Sequence, residues 1–118
     1  MRITLVILLL LSWSTPAKAE VPAKDYSRVR KAEWFKVYVD GVGRGYTWAN
    51  VELKSEGRTP LFCQPAKLIL EAESFLTILD RMMSSNADGR GIPMDIPIEL
   101  LLLTGLRETF PCAGSAAK

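Results

Sequence analysis

The stretch KLILEAESFLTILDRMMS, Lys67 to Ser84, decides the class of fold. Leu68, Ala72, Phe75, Leu76, Leu79, Met82 and Met83 recur at spacings of three and four, which a helix gathers on one side. Glu71, Glu73, Ser74, Thr77, Asp80 and Arg81 fall on the other side, where such charges serve solvation. At this spacing the two methionines read as core filler. The pattern predicts an amphipathic helix that needs partner surfaces on which to bury its apolar face.

The partners are sought on either side. Upstream, Phe35, Tyr38, Val42, Tyr46 and Ala49 form another stripe of threes and fours, predicting a helix from about Ser27 to Asn50 with Asp25 or Ser27 as its cap. Trp34 to Val39 alone would also suit a strand, but the stripe continues past Val39 and favours helix. Gly41, Gly43 and Gly45 weaken its second half, since each costs a helix about 1 kcal/mol relative to alanine, and continuity across them is left open. They do not make a dinucleotide loop, because the third glycine of that pattern is replaced by Tyr46 and no strand-then-helix unit surrounds them. Gly41 and Gly45, one turn apart, read instead as a place for a neighbouring helix to approach.

Val51 to Pro65 reads as a loop or short-stranded segment that delivers Cys63. Downstream, Ser84 to Met94 is rich in Ser, Asn, Asp, Gly and Pro and reads as a connection. Asp95 then caps a third helix, with Pro97 in its first turn and Leu100 to Leu103 and Leu106 apolar on more than one face. Gly105 again permits close approach. The fold class expected is all-α: a small helical domain of three to four helices.

The N-terminus carries a different pattern. Arg2, the apolar stretch from Ile3 to Trp13, and the small-residue site Ala17-Lys18-Ala19 are the three parts of a secretory signal peptide, with cleavage between Ala19 and Glu20. The apolar stretch is about half the ~20 residues a spanning helix requires. No stable membrane span is therefore expected once residues 1–19 are removed, and residues 20–118 form the working domain. Removing Arg2 and Lys18 from the fifteen basic residues leaves thirteen against thirteen acidic ones. A neutral, exported domain lacks the basic footprint of a nucleic-acid binder.

Both cysteines, Cys63 and Cys112, lie in the working domain, and an oxidising compartment joins them. Two thiolates and no histidine cannot complete a four-ligand zinc site, so neither a metal nor another cofactor is expected. Paired helices set the start of one near the end of the next, so the bridge is expected to staple the second helix to the third. With no imidazole base and no free thiol, and with the carboxylates on a solvated face, no constellation of catalytic roles is expected, and the chain reads as a non-enzyme.

Three short strings, Tyr38-Val39-Asp40-Gly41-Val42, Phe62-Cys63-Gln64-Pro65 and Phe110-Pro111-Cys112, occur in an order and separation that resemble the Rap/Tai immunity proteins of type VI secretion amidase effectors. The likeness spans about residues 30–112. It implies a mainly helical periplasmic protein, often a homodimer, that occludes a peptidoglycan amidase delivered by a neighbouring cell. The family's elements map onto Tyr38 and Gly41, onto Phe62, Cys63 and Pro65, and onto Phe110, Pro111 and Cys112, as fold and disulfide positions more than contact positions. This chain departs from the pattern at Phe35, where many relatives carry a further cysteine, and at Leu70, where they carry a polar helix cap.

On this reading a protein effector is the partner. Trp34 and Trp48 are the aromatic contact candidates and Arg58 and Arg90 the polar ones, since both types are enriched at binding hot spots. The alternative is a periplasmic structural or chaperone-like helical protein with no dedicated enzyme partner.

Overall fold

A computed structural model describes residues 20–85 and 91–113. The described residues form a lead-in turn, Ala23–Asp25, and four helices: α1 (Tyr26–Val29), α2 (Glu33–Ser55), α3 (Ala72–Ser85) and α4 (Ile98–Thr109). They contain no strand, only one isolated antiparallel bridge between Pro22 and Pro97. The fold is helical, with Cys63 bonded to Cys112. The expected cleavage residue Ala19, and Arg90, lie outside the described residues.

α3 packs against both α2 and α4. Its buried face is Phe75, Leu76, Ile78, Leu79 and Met82, met by Phe35 and Val39 of α2 and by Ile98, Leu101, Leu102 and Leu106 of α4. Met83 is only half-buried, and Leu68 lies outside the helix and exposed. The helix begins at Ala72 rather than Lys67. Gln64 Nε2 donates to the Leu68 carbonyl at 2.8 Å, taking an acceptor that a helix from Lys67 would give to Ala72. Glu71 becomes the starting residue, its carbonyl accepting from the Phe75 amide and its own amide donating to Ser74 Oγ.

The first predicted helix is in fact two. The chain leaves the helical path at Ala32, whose ψ is 134°, and restarts at Glu33. α2 then runs unbroken through all three glycines and beyond Asn50 to Ser55. Its end is set by Gly57, at φ 70°, a left-handed conformation that costs glycine little. The Arg58 amide reaches back to the Leu53 carbonyl and the Gly57 amide to that of Lys54, the paired bonds of a Schellman stop. The turn residues around Gly57 therefore terminate a helix five residues later than expected.

The expected close approach at Gly41 and Gly45 is not there. A Cβ at either would meet nothing within 4 Å, whereas one at Gly43 would overlap the ring of Phe75. Gly43 is the notch through which α2 and α3 come together. Gly105 plays the expected part in α4, facing Ile78 and Met82.

Asp95 does not cap the last helix. Pro97 occupies the cap position with ψ 140° and no side-chain hydrogen bond. The preceding residues form a turn, closed by the Ile96 N–H on Pro93 O, and are paired with the lead-in: Ala23 N–H donates to Ile96 O, Lys24 N–H to Met94 O, and Ile98 N–H to Val21 O.

Between α2 and α3 the chain is irregular and is tied down twice. Asn50, buried at the core side of α2, donates from Nδ2 to the Phe62 carbonyl at 2.9 Å and accepts the Leu61 amide on Oδ1 at 2.6 Å. The Cys63–Cys112 bond, with Cα atoms 5.0 Å apart, and the hydrogen bond from the Cys63 amide to Phe110 O join the same segment to the chain after α4. Cys63 stands nine residues before α3, so the bridge anchors the irregular segment rather than the helix start.

Two stability outcomes follow. Gly43→Ala forces a methyl into the Phe75 ring and is expected to cost about 1–3 kcal/mol. Gly41→Ala or Gly45→Ala, exposed with open space, is expected to gain about 0.5–1 kcal/mol; urea unfolding of the three variants checks the opposite signs. Replacing both cysteines by serine frees a loop of 49 residues in the unfolded chain, and the chain-entropy estimate puts the loss at about 4 kcal/mol. A midpoint unchanged by reductant in wild type would contradict it.

Candidate functional site

α2 carries its apolar stripe toward the core and, on the opposite side, two tryptophans toward solvent. Trp34 is 55% exposed and Trp48 71%. Fourteen residues of helix separate them, about 21 Å at 1.5 Å per residue, so they share a face without touching. Trp34 leans edge-on against Phe35, and Phe35 stacks on Tyr38. Arg58 lies past the end of α2, exposed, with Nη1 3.2 Å from Glu56 Oε2. The three contact candidates among the described residues, Trp34, Trp48 and Arg58, are thus not brought together.

The positions of the three motif strings are mixed. Phe62 is buried against Phe110, Tyr38 is half-buried, and Gly41, Pro65 and Pro111 are exposed. Phe62, Phe110 and the cysteines serve the fold.

A shallow groove runs between the second half of α2 and the irregular segment. One hollow of about 250 Å³ is lined by Arg44, Thr47, Trp48, Gln64, Leu68, Ile69 and Leu70. It adjoins a second of about 160 Å³ lined by Thr47, Asn50, Val51, Lys54, Phe62, Gln64, Pro65 and Ala66. Thr47 and Gln64 belong to both. The wall opposite α2 exists because Asn50 holds residues 61–62 and Gln64 holds the Leu68 carbonyl, so that residues 67–71 stay out of the helix the periodicity predicts from Lys67. Leu68 and Ile69, 79% exposed in the latter case, are thereby turned outward. One signal of this was present in the sequence: the consecutive Leu68, Ile69 and Leu70 cannot all occupy the single buried stripe of an amphipathic helix.

A cluster of titratable groups stands elsewhere, at Tyr26, Arg30 and Asp80. Arg30 Nε and Nη2 donate to the two Asp80 carboxylate oxygens at 2.7 and 2.8 Å, and Tyr26 donates its hydroxyl to Oδ1 at 2.5 Å. Asp80, expected on a solvated face, instead ties α1 to α3. The hydrogen bond from Arg30 holds its carboxyl below the usual aspartate range, against the opposing effect of burial, and the tyrosine bond adds to the lowering. Burial, then the hydrogen bond to Asp80, pushes the Tyr26 hydroxyl well above its usual range. Both shifts favour the charge states found at neutral pH, which suits a structural clasp rather than an acid or base poised for proton transfer.

Glu73 is also engaged, with Lys36 Nζ 2.8 Å from its carboxylate, and that hydrogen bond lowers its carboxyl. Tyr46 donates to Glu99 O at 2.7 Å, linking α2 to α4, and burial raises its hydroxyl. Among the described residues no group of three or more His, Cys, Asp or Glu side chains is placed to hold a metal ion. No described helix is long and apolar enough to cross a membrane.

Comparison with known proteins finds no matching family model, no matching curated protein and no matching solved structure.

The clasp makes stability depend on pH at both extremes. Because the Asp80 value is lowered in the fold, its contribution is full above the ordinary aspartate value of about 3.9 and is lost as pH falls toward the folded value. Because the Tyr26 value is raised, its contribution is full below about 10 and is lost as pH rises beyond it. Asp80 is 45% exposed, so Asp80→Asn is expected to cost about 1 kcal/mol at pH 7 after allowing for solvent screening. It should also flatten the acid limb, and Tyr26→Phe the alkaline limb, of urea-unfolding profiles taken from pH 2 to 11. An Asp80→Asn profile parallel to wild type below pH 4 would count against the clasp.

Proposed function

We propose that this chain is an exported binding protein that blocks a cell-wall-degrading enzyme delivered by type VI secretion, an amidase or a related hydrolase, and that it acts by occlusion without chemistry of its own. The observation that carries the reading is the outward face of α2. Two tryptophans stand exposed there on a 23-residue helix, and that helix is fastened to the rest of the fold by Gly43, Asn50 and Tyr46. A rigid helix presenting aromatic side chains gives up little conformational entropy on binding, and tryptophan is among the residues most enriched at binding hot spots.

Three further features support it. The strings around Tyr38, Phe62 and Phe110 are similar to those of the Rap/Tai immunity proteins. The bonded cysteines suit an oxidising compartment, as expected of a periplasmic protein. The leader read at residues 1–19 would deliver the chain there. Pairing of two copies, which the same resemblance implies, would double the number of effector molecules held by one assembly.

The processed chain mixed with the exported hydrolase encoded beside it is expected to co-elute as one complex on size exclusion and to suppress hydrolysis of peptidoglycan. Trp48→Ala and Trp34→Ala together are expected to weaken that complex at least thirtyfold, the effect of losing a hot spot of about 2 kcal/mol. Absence of any complex with the adjacent exported hydrolases would sink the proposal.

A further inference from the structure

The exposed apolar surface is unevenly distributed. Among the described residues, Trp48, Val51, Leu68 and Ile69 are four of the eight large apolar residues left exposed, and all four line the groove beside α2. A contiguous apolar surface of this kind marks an interaction site more often than a scatter of single residues does. Its walls are fixed before anything binds: Asn50 and the disulfide hold one side, and Gln64 fastens the Leu68 carbonyl.

Size and charge narrow the occupant. Each hollow, at about 250 and 160 Å³, falls below the ~300 Å³ at which pockets begin to enclose a small molecule, but the two adjoin at Thr47 and Gln64. From Arg44 to Lys54 the groove follows ten residues of helix, about 15 Å, the length of four or five residues of extended chain at ~3.3 Å each. At one end Arg44 is already held by Asp40 at 2.7 Å and also feels Glu71. At the other end Lys54 lines the groove, and Lys67 falls in sequence between the lining residues Ala66 and Leu68. Among the described residues neither lysine forms an ion pair. Unspent positive charge therefore sits at the Lys54 end of an apolar trough.

We infer that the groove between the second half of α2 and residues 64–70 receives an extended segment of a partner protein, an apolar side chain seating against Trp48, Leu68 and Ile69 and an adjacent carboxylate reaching Lys54. This rests on the reading of the chain as a binder of an exported protein, and it assigns that partner a recognisable chemistry. Two lysines beside a neutral domain are too few for a nucleic-acid backbone.

The probe is the acetylated and amidated peptide Ala-Leu-Phe-Asp-Glu-Ala, titrated to millimolar concentration into the isotopically labelled, disulfide-bonded processed chain and followed by NMR. Amide shifts are expected at Thr47, Trp48, Lys54, Gln64, Leu68 and Ile69. A peptide with Asn and Gln in place of Asp and Glu is expected to bind about three- to fivefold more weakly, and Lys54→Glu to weaken the acidic peptide by at least as much, the scale of an exposed ion pair. Ile69→Asp is expected to cost tenfold or more, from the lost apolar seat. Both side chains are exposed, so unchanged thermal unfolding of the two variants confirms that the fold is intact.

No shifts at millimolar peptide, shifts centred elsewhere, or equal affinity for the acidic and amide peptides would overturn the inference. So would the same residues shifting with protein concentration alone, which would make a second copy the occupant. Failure of the two readings is separable. A hydrolase complex indifferent to Ile69→Asp removes the groove and leaves the binding function, whereas peptide binding without any hydrolase complex does the reverse.

Discussion

The two hydrogen bonds of the Asn50 side chain hold the segment between α2 and α3 in place, and most of what lies outside the helices depends on them. That segment has no helix or sheet to satisfy its backbone, so polar groups brought from elsewhere must do it. Asn50 supplies an acceptor for Leu61 and a donor for Phe62 in one rigid amide. Phe62 is thereby set against Phe110, and the Cys63 amide against the Phe110 carbonyl, which places its sulfur beside that of Cys112. A buried amide left without such partners would cost about 1–3 kcal/mol, so the residue is costly unless the segment adopts this path.

Two kinds of fastening divide the work. The helices are joined to one another by apolar burial, through Phe35, Phe75, Leu79, Leu102 and Leu106. The non-helical pieces bury Ala23, Phe62 and Leu70 in the core and add polar contacts that fix their path: Asn50 for the segment before α3, and the backbone pairing of residues 21–24 with 94–98 for the lead-in. α1 combines the two, burying Tyr26 and Val29 in the core while Tyr26 and Arg30 meet Asp80. Apolar contacts specify which faces pack, and the directional bonds specify where the intervening chain goes.

This division also explains how far the fold was legible in the sequence. The core of α3 follows from periodicity because burial is periodic, and Phe75, Leu76, Leu79 and Met82 fall where their spacing puts them. The start of α3 does not, because it is decided by Gln64 reaching the Leu68 carbonyl, a contact with no periodic trace. Asp80 carries a charge at a position that periodicity assigns to solvent, and nothing local announces the Arg30 fifty residues earlier that claims it. The groove was hidden for the same reason. Trp48 stands out by residue type, whereas Leu68 and Ile69 become surface only once the helix they suggest fails to form. The cysteine pairing was legible throughout, since it rests on count and compartment rather than on geometry.

The three glycines of α2 show what a packing notch means for descent. Gly41 and Gly45 face open space, so drift can replace them with almost any helix former at no cost to the fold. Gly43 admits no side chain unless Phe75 shrinks in the same lineage, and the two positions should therefore change together or not at all. A glycine held in common by distant relatives at this point of the helix would belong in register with Gly43, two residues beyond the Tyr38-x-x-Gly41 pattern that catches the eye.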